Sequence, residues 1–339
     1  MSFSVQIEPS GHTLSVEENE TLLDAALRQG VGLPYGCRNG QCGSCICRLL
    51  EGEVSYPNGN TQALEEETVD ACLTCQAVPV SDLVIFAGET EKAEEIEIRT
   101  LPCRVDEKKV LAHDVIQLKL KLPDNQRLQF LAGQYLDIIL SDGRRRAFSI
   151  ANAPHDDDFI ELHIRHVPGG EFTQVVFDEM EEKSILRIQA PLGSFNLQEE
   201  SERPMIFVAG GTGFAPIKGI IEHANHLGIF RPIHLYWGVR SKQDLYMDEL
   251  PRQWEKEHDN FSYTPVLSEP DADWTGRTGW VHEAVLEDNP EMAGFDVYMA
   301  GPPPMVKAGR DAFADKGLSH DHMFYDSFEY GAKTDKKTD

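Results

Sequence analysis

Basic residues are scarce in this chain of 339 residues, in which 31 lysines and arginines stand against 57 aspartates and glutamates. The formal net charge is therefore −26. Because phosphate recognition requires a basic face, this balance argues against binding of nucleic acid and against docking on an anionic membrane. It favours solubility and electrostatic attraction to a partner that carries a basic patch.

Long apolar runs are also missing, because no stretch approaches the roughly 18 consecutive apolar residues that a membrane-spanning helix requires. The opening MSFSVQIEPSGHTLSVEENE lacks the basic and apolar parts of a secretory signal peptide. We therefore expect no membrane insertion and a cytoplasmic location. In that reducing compartment, seven cysteines, an odd number concentrated in one small region, favour a metal site over disulfides.

The length predicts two or three domains, and an apolar content of 41% is enough to fill their cores. Residues 1–87 combine alternating strand patterns with the helical stretch TLLDAALRQG, and the polar segment 88–97 has the composition of a linker. Short alternating runs between turn residues in 98–201 are typical of an antiparallel barrel. In 202–331 apolar strands alternate with helical stretches, which predicts a parallel sheet, and we expect disorder in 332–339.

The most distinctive stretch is YGCRNGQCGSCIC at 35–47. Cys37, Cys42 and Cys45 follow the spacing C-x4-C-x2-C, and 29 residues separate Cys45 from Cys75. This is the spacing of plant-type [2Fe–2S] ferredoxins, in which four thiolates converge on two irons. The loop glycines allow the backbone to wrap closely and to direct N–H groups at the sulfurs. We predict these four cysteines as cluster ligands.

A zinc ribbon is the alternative, with two C-x2-C pairs at 42–45 and 72–75. The 26 residues between the pairs exceed the usual ribbon interval of roughly 15–20, and Cys37 would have no role. The segment as a whole resembles plant-type ferredoxins, which implies a β-grasp fold with the cluster near its surface. Three cysteines are expected to be small buried or half-buried side chains and not ligands: Cys47, Cys72 and Cys103.

A second motif lies in RRRAFSIANAP, at the end of a predicted strand. Its residues Arg146-Ala147-Phe148-Ser149 resemble the R-x-Y/F-S flavin motif of the ferredoxin–NADP reductase family. The resemblance implies FAD, with Arg146 paired to pyrophosphate, Phe148 stacked on the isoalloxazine and Ser149 bonded to N5, where hydride arrives. VPGGEFT resembles the pyrophosphate-binding turn of that family. The other flavin-site residues implied by the resemblance are Gly170, Phe172 and Thr173 of this turn and His163, Ile164 and Arg165 of ELHIRHV.

The stretch VAGGTGFAPIKGII has the pattern of a strand, a glycine-rich turn and a helix, a combination that binds pyrophosphate at the positive end of the helix. It resembles the nicotinamide site of the same reductase family, which implies roles for Gly211, Thr212 and Gly213. YWGVRS ends the next predicted strand, where Arg240 is a candidate for contact with the adenosine ribose.

Two later stretches resemble elements that adjoin the nicotinamide and the flavin ring in that family. YMAGPPPM resembles C-G-P-P-x-M, with Ala300 in place of the cysteine. FYDSFEYG resembles the aromatic terminus that covers the flavin ring, with Phe328 as the candidate that acts beside Ser149 in catalysis. The remaining candidates are Gly301, Pro302 and Met305 for nicotinamide and, as alternatives to Phe328, Phe324 and Tyr330.

The order of the three segments resembles the reductase components of bacterial multicomponent oxygenases, such as phenol and methane monooxygenase reductases, and most closely the CDP-6-deoxy-Δ3,4-glucoseen reductases. The stretches EPSGHTL, AGQYLDIIL, VAGGTGFAP and WTGRTGWVHEAVLED carry this resemblance. It implies an enzyme that takes hydride from NADH, in preference to NADPH, onto FAD and passes single electrons through a [2Fe–2S] cluster. The implied acceptor is a protein, either a pyridoxamine-dependent sugar dehydrase or an oxygenase component.

Two other functions stay open at this point. In the first, the protein is a flavin or quinone reductase whose ferredoxin segment is auxiliary. In the second, the cysteines bind zinc in a binding module without catalytic activity. A protein that contains neither flavin nor iron absorption would favour the second.

Overall fold

The computed structural model describes residues 2–65, 67–88 and 96–328, which form two compact units. The described residues up to Ile98, together with Pro191–Phe195, make up the first unit. All other described residues make up the second.

The first unit is a small α+β structure. Its elements are β1 (Phe3–Glu8), β2 (Thr13–Val16), α1 (Leu22–Arg28), β3 (Ile46–Glu51), β4 (Val54–Ser55), β5 (Ala71–Leu73), β6 (Val78–Pro79) and β7 (Leu83–Phe86). The main sheet has the order β2-β1-β7-β3-β5, in which β1 runs parallel to β7 and the other neighbours are antiparallel. Strands β4 and β6 form a separate antiparallel pair.

The sequence pattern explains these elements. In β1, alternation buries Val5 and Ile7 and leaves Ser4 and Gln6 exposed. Helix α1 begins after Thr21, whose hydroxyl accepts a hydrogen bond from the Asp24 N–H, and the chain turns at Gly30 with φ +74°. The buried face of the helix then closes the core of the unit over the sheet.

The second unit contains an antiparallel and a parallel sheet. The elements of its first half are β8 (Arg99–Ala112), β9 (Val115–Lys121), β10 (Tyr135–Ile139), β11 (Arg145–Ser149), β12 (Ile160–Arg165), α2 (Glu171–Asp178) and β13 (Ile185–Leu192). These six strands form one sheet in the order β11-β10-β13-β8-β9-β12. Pairing is antiparallel between β11 and β10, β13 and β8, β8 and β9, and β9 and β12. The apolar sides of the strands and of α2 share one core, the barrel core, and these elements make up the barrel that the sequence predicts.

The second half of this unit is an α/β layer structure. Its elements are β14 (Met205–Gly210), α3 (Phe214–His226), β15 (Ile233–Val239), α4 (Glu249–Glu257), β16 (Phe261–Leu267), β17 (Arg277–Thr278), α5 (Val281–Asp288), β18 (Asp296–Gly301), α6 (Pro303–Ala314) and β19 (Met323–Ser327). The six strands are all parallel, in the order β17-β16-β15-β14-β18-β19. Strands β14 and β18 are buried at every position, as expected for strands covered on both faces.

The predicted fold class, an α+β unit followed by an antiparallel β structure and a parallel α/β structure, is confirmed. The predicted tail at 332–339 and residues 89–95 of the predicted linker lie outside the described residues. Among the helices that the structure describes, none has the length and apolar character needed to cross a bilayer.

Candidate functional site

The four predicted cluster ligands lie together in the first unit. Cys37, Cys42 and Cys45 come from the loop between α1 and β3, and Cys75 follows β5. Backbone N–H groups point at the sulfurs, because Cys37 Sγ accepts from the Cys42 N–H at 3.4 Å and Cys42 Sγ accepts from the Cys37 N–H at 3.4 Å. The Sγ atoms of Cys45 and Cys75 lie 3.2 Å apart.

This donor set fits an iron–sulfur cluster. The Cys45 thiol donates to Cys75, and that hydrogen bond together with burial raises the pKa of Cys45 well above its usual range. Thiols crowded in this way share protons, and a bound cation would take the place of those protons. Cys72, which the zinc alternative requires, instead lies opposite Cys47 in the β3–β5 ladder and is fully buried.

Gly40 is a glycine on which the shape of this loop depends. It has φ +86°, and a Cβ at this position would lie 2.2 Å from the Asn60 carbonyl oxygen. Gly59 also has a left-handed φ, of +66°, but a Cβ there would meet no atom within 4 Å. Substitution of either glycine by alanine would therefore strain the backbone, but only the substitution at Gly40 would also create a clash.

We expect Gly40→Ala to reduce the iron content of the purified protein by at least about half, because the loop must move away from Asn60 and the thiols separate with it. Gly59→Ala should retain wild-type iron. Iron and acid-labile sulfide are measured per polypeptide. Equal losses in both variants would show that backbone strain, and not the clash, controls cluster assembly.

In the second unit, the predicted flavin motif occupies β11. Arg146 and Ala147 are partly or fully exposed, whereas Ser149 is buried. The Phe148 ring packs against the buried Phe172 ring at 5.7 Å between centroids, which ties the strand to α2. Ser149 Oγ donates to Asp326 Oδ2 at 3.0 Å, so the hydroxyl faces the end of β19 in the parallel sheet.

Asp326 is a candidate site residue that the sequence did not reveal. It is the cross-strand partner of Ala300. Burial raises the pKa of Asp326 to about 6, against the smaller opposite effect of the Ser149 hydrogen bond. This carboxyl therefore changes charge close to neutral pH.

The turn before α2 is organised by Thr173. Its hydroxyl accepts from the Val167 N–H at 3.1 Å and lies 3.1 Å from the Gly170 carbonyl oxygen. A Cβ on Gly170 would lie 2.8 Å from the same hydroxyl oxygen and 3.0 Å from the Val167 carbonyl oxygen, so any larger residue would displace this turn. The turn thus presents the N-terminus of α2 with a fixed geometry.

Strand β12 divides the remaining flavin-site candidates between two faces. Ile164 belongs to the barrel core, whereas the side chains of His163 and Arg165 point to the other face. Two nitrogens of Arg165, Nε and Nη2, are shielded from solvent without a hydrogen bond in the described part of the chain, although Nε lies 3.1 Å from Asp114 Oδ2. A guanidinium with two unused hydrogen-bond donors suits an anionic group, as the phosphates of a dinucleotide provide.

The predicted nucleotide turn connects β14 to α3 at the carboxyl edge of the parallel sheet. A Cβ on Gly213 would lie 1.9 Å from the Ala300 carbonyl oxygen, and one on Gly210 would lie 2.4 Å from Met305 Sδ. The turn and the predicted nicotinamide element after β18 are therefore packed against each other. Thr212, between the two glycines of the turn, is half-buried.

Other candidates lie at the same edge of the sheet. Pro302 precedes α6, and Gly301 accepts a hydrogen bond from the Phe328 N–H at 2.8 Å. Arg240 follows β15, the neighbour of β14, and is exposed. Phe324 instead stacks on Tyr298 with centroids 4.8 Å apart, and Tyr330 lies outside the described residues. The carboxyl edge of a parallel sheet is where such folds bind nucleotides.

In a comparison with known proteins, three domain families match successive parts of the chain, in the order that the sequence predicts. Residues 5–80 match a 2Fe-2S iron-sulfur cluster binding domain, residues 102–197 an oxidoreductase FAD-binding domain, and residues 207–311 an oxidoreductase NAD-binding domain. A CDP-6-deoxy-L-threo-D-glycero-4-hexulose-3-dehydrase reductase of Yersinia pestis is 39% identical over 97% of this chain and 99% of its own. The chain belongs to the family of iron–sulfur flavoprotein reductases.

Other similar proteins are named as a dioxygenase reductase component and as a cytochrome P450 reductase. A reductase component of terephthalate 1,2-dioxygenase from Comamonas is 34% identical over 97% of this chain and 98% of its own. The crystal structure of a cytochrome P450 reductase from Amycolatopsis matches with a TM-score of 0.78 and 35% identity, over 96% of this chain and 98% of that chain. The predicted family, oxidoreductase activity and cofactors, namely FAD, a [2Fe–2S] cluster and NAD(H), are thereby confirmed. The reductase passes electrons from NAD(P)H through FAD and the cluster.

Proposed function

We propose that the reductase oxidises NADH and supplies single electrons to a pyridoxamine-dependent sugar dehydrase. The hydride-transfer part of this proposal is supported by three features that lie at one edge of the parallel sheet in the second unit. They are Ser149 of the flavin motif, the turn at Gly211–Gly213 and Gly301. Sequence similarity supports a dehydrase as the acceptor. A dehydrase reductase is 39% identical to this chain, whereas a dioxygenase reductase component is 34% identical over the same share of the chain.

The proposed roles follow from the chemistry of the side chains. Arg146 and Arg165 bind the flavin pyrophosphate, together with the amides that Gly170 and Thr173 hold in place. Phe148 and Phe328 would hold the ring, and the Ser149 hydroxyl, on release from Asp326, would donate to the atom that accepts hydride. Bound FAD supplies acceptance of an electron pair and release of single electrons, and no side chain has to transfer a proton to the substrate.

The nicotinamide side is assigned in the same way. Gly211, Thr212 and Gly213 bind the dinucleotide pyrophosphate at the N-terminus of α3, and Gly301, Pro302 and Met305 flank the nicotinamide. Arg240 contacts the adenosine ribose.

A preference for NADH is supported by the groups around Arg240. The Ser241 N–H and hydroxyl both donate to Asp244 Oδ2, at 2.9 and 3.0 Å, and so are not offered to a 2′-phosphate. We expect kcat/KM to be at least about tenfold higher with NADH than with NADPH. A higher value with NADPH would reverse the assignment.

Four cysteines, Cys37, Cys42, Cys45 and Cys75, hold the cluster in the proposed ferredoxin domain at 1–87. Deletion of residues 1–95 tests whether this domain is the exit for electrons. The truncated protein should reduce a dye with NADH but no longer support the dehydrase, whose turnover is followed with its CDP-hexulose substrate and pyridoxamine phosphate. Undiminished support of the dehydrase would overturn the proposal. The second candidate function is electron supply to an oxygenase. It would be the correct one if an oxygenase component accepted electrons from the reductase faster than the dehydrase does.

Asp326 gives this proposal a pH dependence. With its pKa raised to about 6, the carboxyl is neutral at lower pH and becomes negatively charged as the pH rises through 6. A negative charge beside Ser149 opposes delivery of hydride. We therefore expect flavin reduction by NADH to slow by roughly three- to tenfold between pH 5 and 7.5 in the wild type.

The Asp326→Asn variant should show no such inflection and should remain fast at pH 7.5. Stopped-flow absorbance of the flavin provides the measurement. Asp321→Asn is the matched control, because Asp321 is an exposed aspartate shortly before the same strand, and it should follow the wild-type profile. An inflection near pH 6 that survives in Asp326→Asn would assign the titration to another group.

A further inference from the structure

Strand β12 carries a row of polar side chains that the proposed flavin site does not use. Its even-numbered residues, Ile160, Leu162 and Ile164, belong to the barrel core. The odd-numbered residues Glu161 and His163 point to the opposite face and are 9% and 5% exposed. Burial of ionisable groups is costly unless each has a partner, so the partners of this row are informative.

Glu161 and His163 each have a partner in the nucleotide-binding half of the second unit. Glu161 Oε1 lies 3.5 Å from Lys218 Nζ on α3. That ammonium also donates to Glu222 Oε2 at 2.9 Å and to the Ala151 carbonyl oxygen at 3.2 Å. His163 Nδ1 lies 3.0 Å from the hydroxyl of Tyr246, which follows β15. The row therefore joins the barrel to helix α3 and to the segment between β15 and α4.

The protonation states determine which group donates and which accepts in each of these hydrogen bonds. Burial raises the pKa of Glu161, but the His163 hydrogen bond and the charge of Lys218 outweigh it and bring the pKa to about 2, so the carboxylate only accepts. Burial lowers the pKa of His163 and raises that of Tyr246, so both are neutral at pH 7. His163 Nε2–H therefore donates to Glu161 at 2.8 Å, and Nδ1 accepts from the Tyr246 hydroxyl.

Tyr246 connects these hydrogen bonds to the nucleotide turn through its contact with Trp237. Its ring stands edge-on to Trp237, with centroids 5.2 Å apart and planes at 87°. The Trp237 indole N–H donates to the Gly211 carbonyl oxygen at 2.9 Å, and the Phe214 ring stacks on the indole with centroids 4.1 Å apart. The position of Gly211 is thus linked through Trp237 and Tyr246 to His163 on the barrel strand.

We propose that Glu161 and His163, acting through Tyr246 and Trp237, are positioning residues that hold the glycine-rich nucleotide turn at the distance from the flavin barrel that hydride transfer requires. This inference rests on the proposed assignment of the turn at Gly211–Gly213 to the dinucleotide. None of the four residues has to touch a reacting atom. Their effect falls on the rate of hydride transfer, because a small displacement of bound reactants lowers that rate steeply.

Tyr246→Phe is the sharpest test, because it removes one hydroxyl and keeps the ring that contacts Trp237. Tyr236→Phe is the matched control: Tyr236 is a fully buried tyrosine of β15 whose hydroxyl donates to Asp288 at 3.0 Å, outside this chain of contacts. In the holoenzyme, we expect the limiting rate of flavin reduction at saturating NADH to fall about tenfold in Tyr246→Phe and to be unchanged in Tyr236→Phe.

Two further readings separate positioning from general loss of structure. The dissociation constant of NAD⁺, measured by calorimetry, should change less than about threefold in Tyr246→Phe, and FAD content should stay at the wild-type level. NMR of ¹⁵N-labelled histidine should show His163 in the wild type as the neutral Nε2–H tautomer. Equal limiting rates in the two variants, or a His163 protonated at Nδ1, would overturn the inference. Failure of NADH to bleach the wild-type flavin would instead refute the proposed function itself.

Discussion

Serine at position 42 is expected to abolish the EPR signal of the reduced cluster while NADH still bleaches the flavin at the wild-type rate. Cys42 Sγ accepts a backbone hydrogen bond within the cysteine loop, and its thiolate is one of four that iron would require. A serine hydroxyl is a poor ligand for iron. Hydride transfer belongs to the second unit, where the FAD-binding and NAD-binding domain families match.

The matched control is Cys47→Ser. Cys47 is buried in β3 of the same unit and pairs across the sheet with Cys72, so its loss should lower stability without removing the signal. Loss of flavin bleaching together with the cluster signal in Cys42→Ser would contradict the separation of the two reactions. A cluster signal that depends on Cys72 and not on Cys37 would revive the ligand set of the zinc alternative.

Alanine at position 213 is expected to lower kcat/KM for NADH about 100-fold, as judged from flavin bleaching. The added Cβ would lie 1.9 Å from the Ala300 carbonyl oxygen and 2.9 Å from the Gly301 nitrogen. Both are backbone atoms of a neighbouring strand end, so no side-chain rotation relieves the clash. The turn after β14 must then move away from β18, and the proposed dinucleotide site opens.

Reduction of the flavin by dithionite should be unaffected in Gly213→Ala, because it does not use the nucleotide site. Gly294→Ala provides the matched control, since a Cβ there would meet no atom within 4 Å, and it should behave as the wild type. A Gly213→Ala variant with near-normal kcat/KM for NADH would remove this turn from the proposed site.

The features that the sequence predicted are those encoded locally. The cysteine spacing, the R-A-F-S tetrapeptide and the glycine-rich turn each lie within a few residues of chain, and hydrophobic periodicity separates antiparallel from parallel strands. The predicted family, fold class and cofactors were therefore accessible without coordinates, and the comparisons confirm them.

Pairings between distant residues could not be predicted. Asp326 contacts Ser149 across 177 positions, and Tyr246 contacts His163 across 83. No local pattern selects one aspartate or one tyrosine as the partner, because tertiary packing decides it. For His163, strand alternation offers a partial signal: His163 and Ile164 point to opposite faces, so they do not present their side chains to the same site.

The central claim is that one polypeptide converts the electron pair of NADH into single electrons. An anaerobic titration with NADH, followed by visible absorbance and by low-temperature EPR, tests it most directly. The account predicts that the flavin absorbance bleaches first and that the signal of a reduced [2Fe–2S] cluster then appears. A protein that binds no flavin after reconstitution, or whose cysteines hold a centre that stays EPR-silent when the flavin is fully reduced, would contradict it.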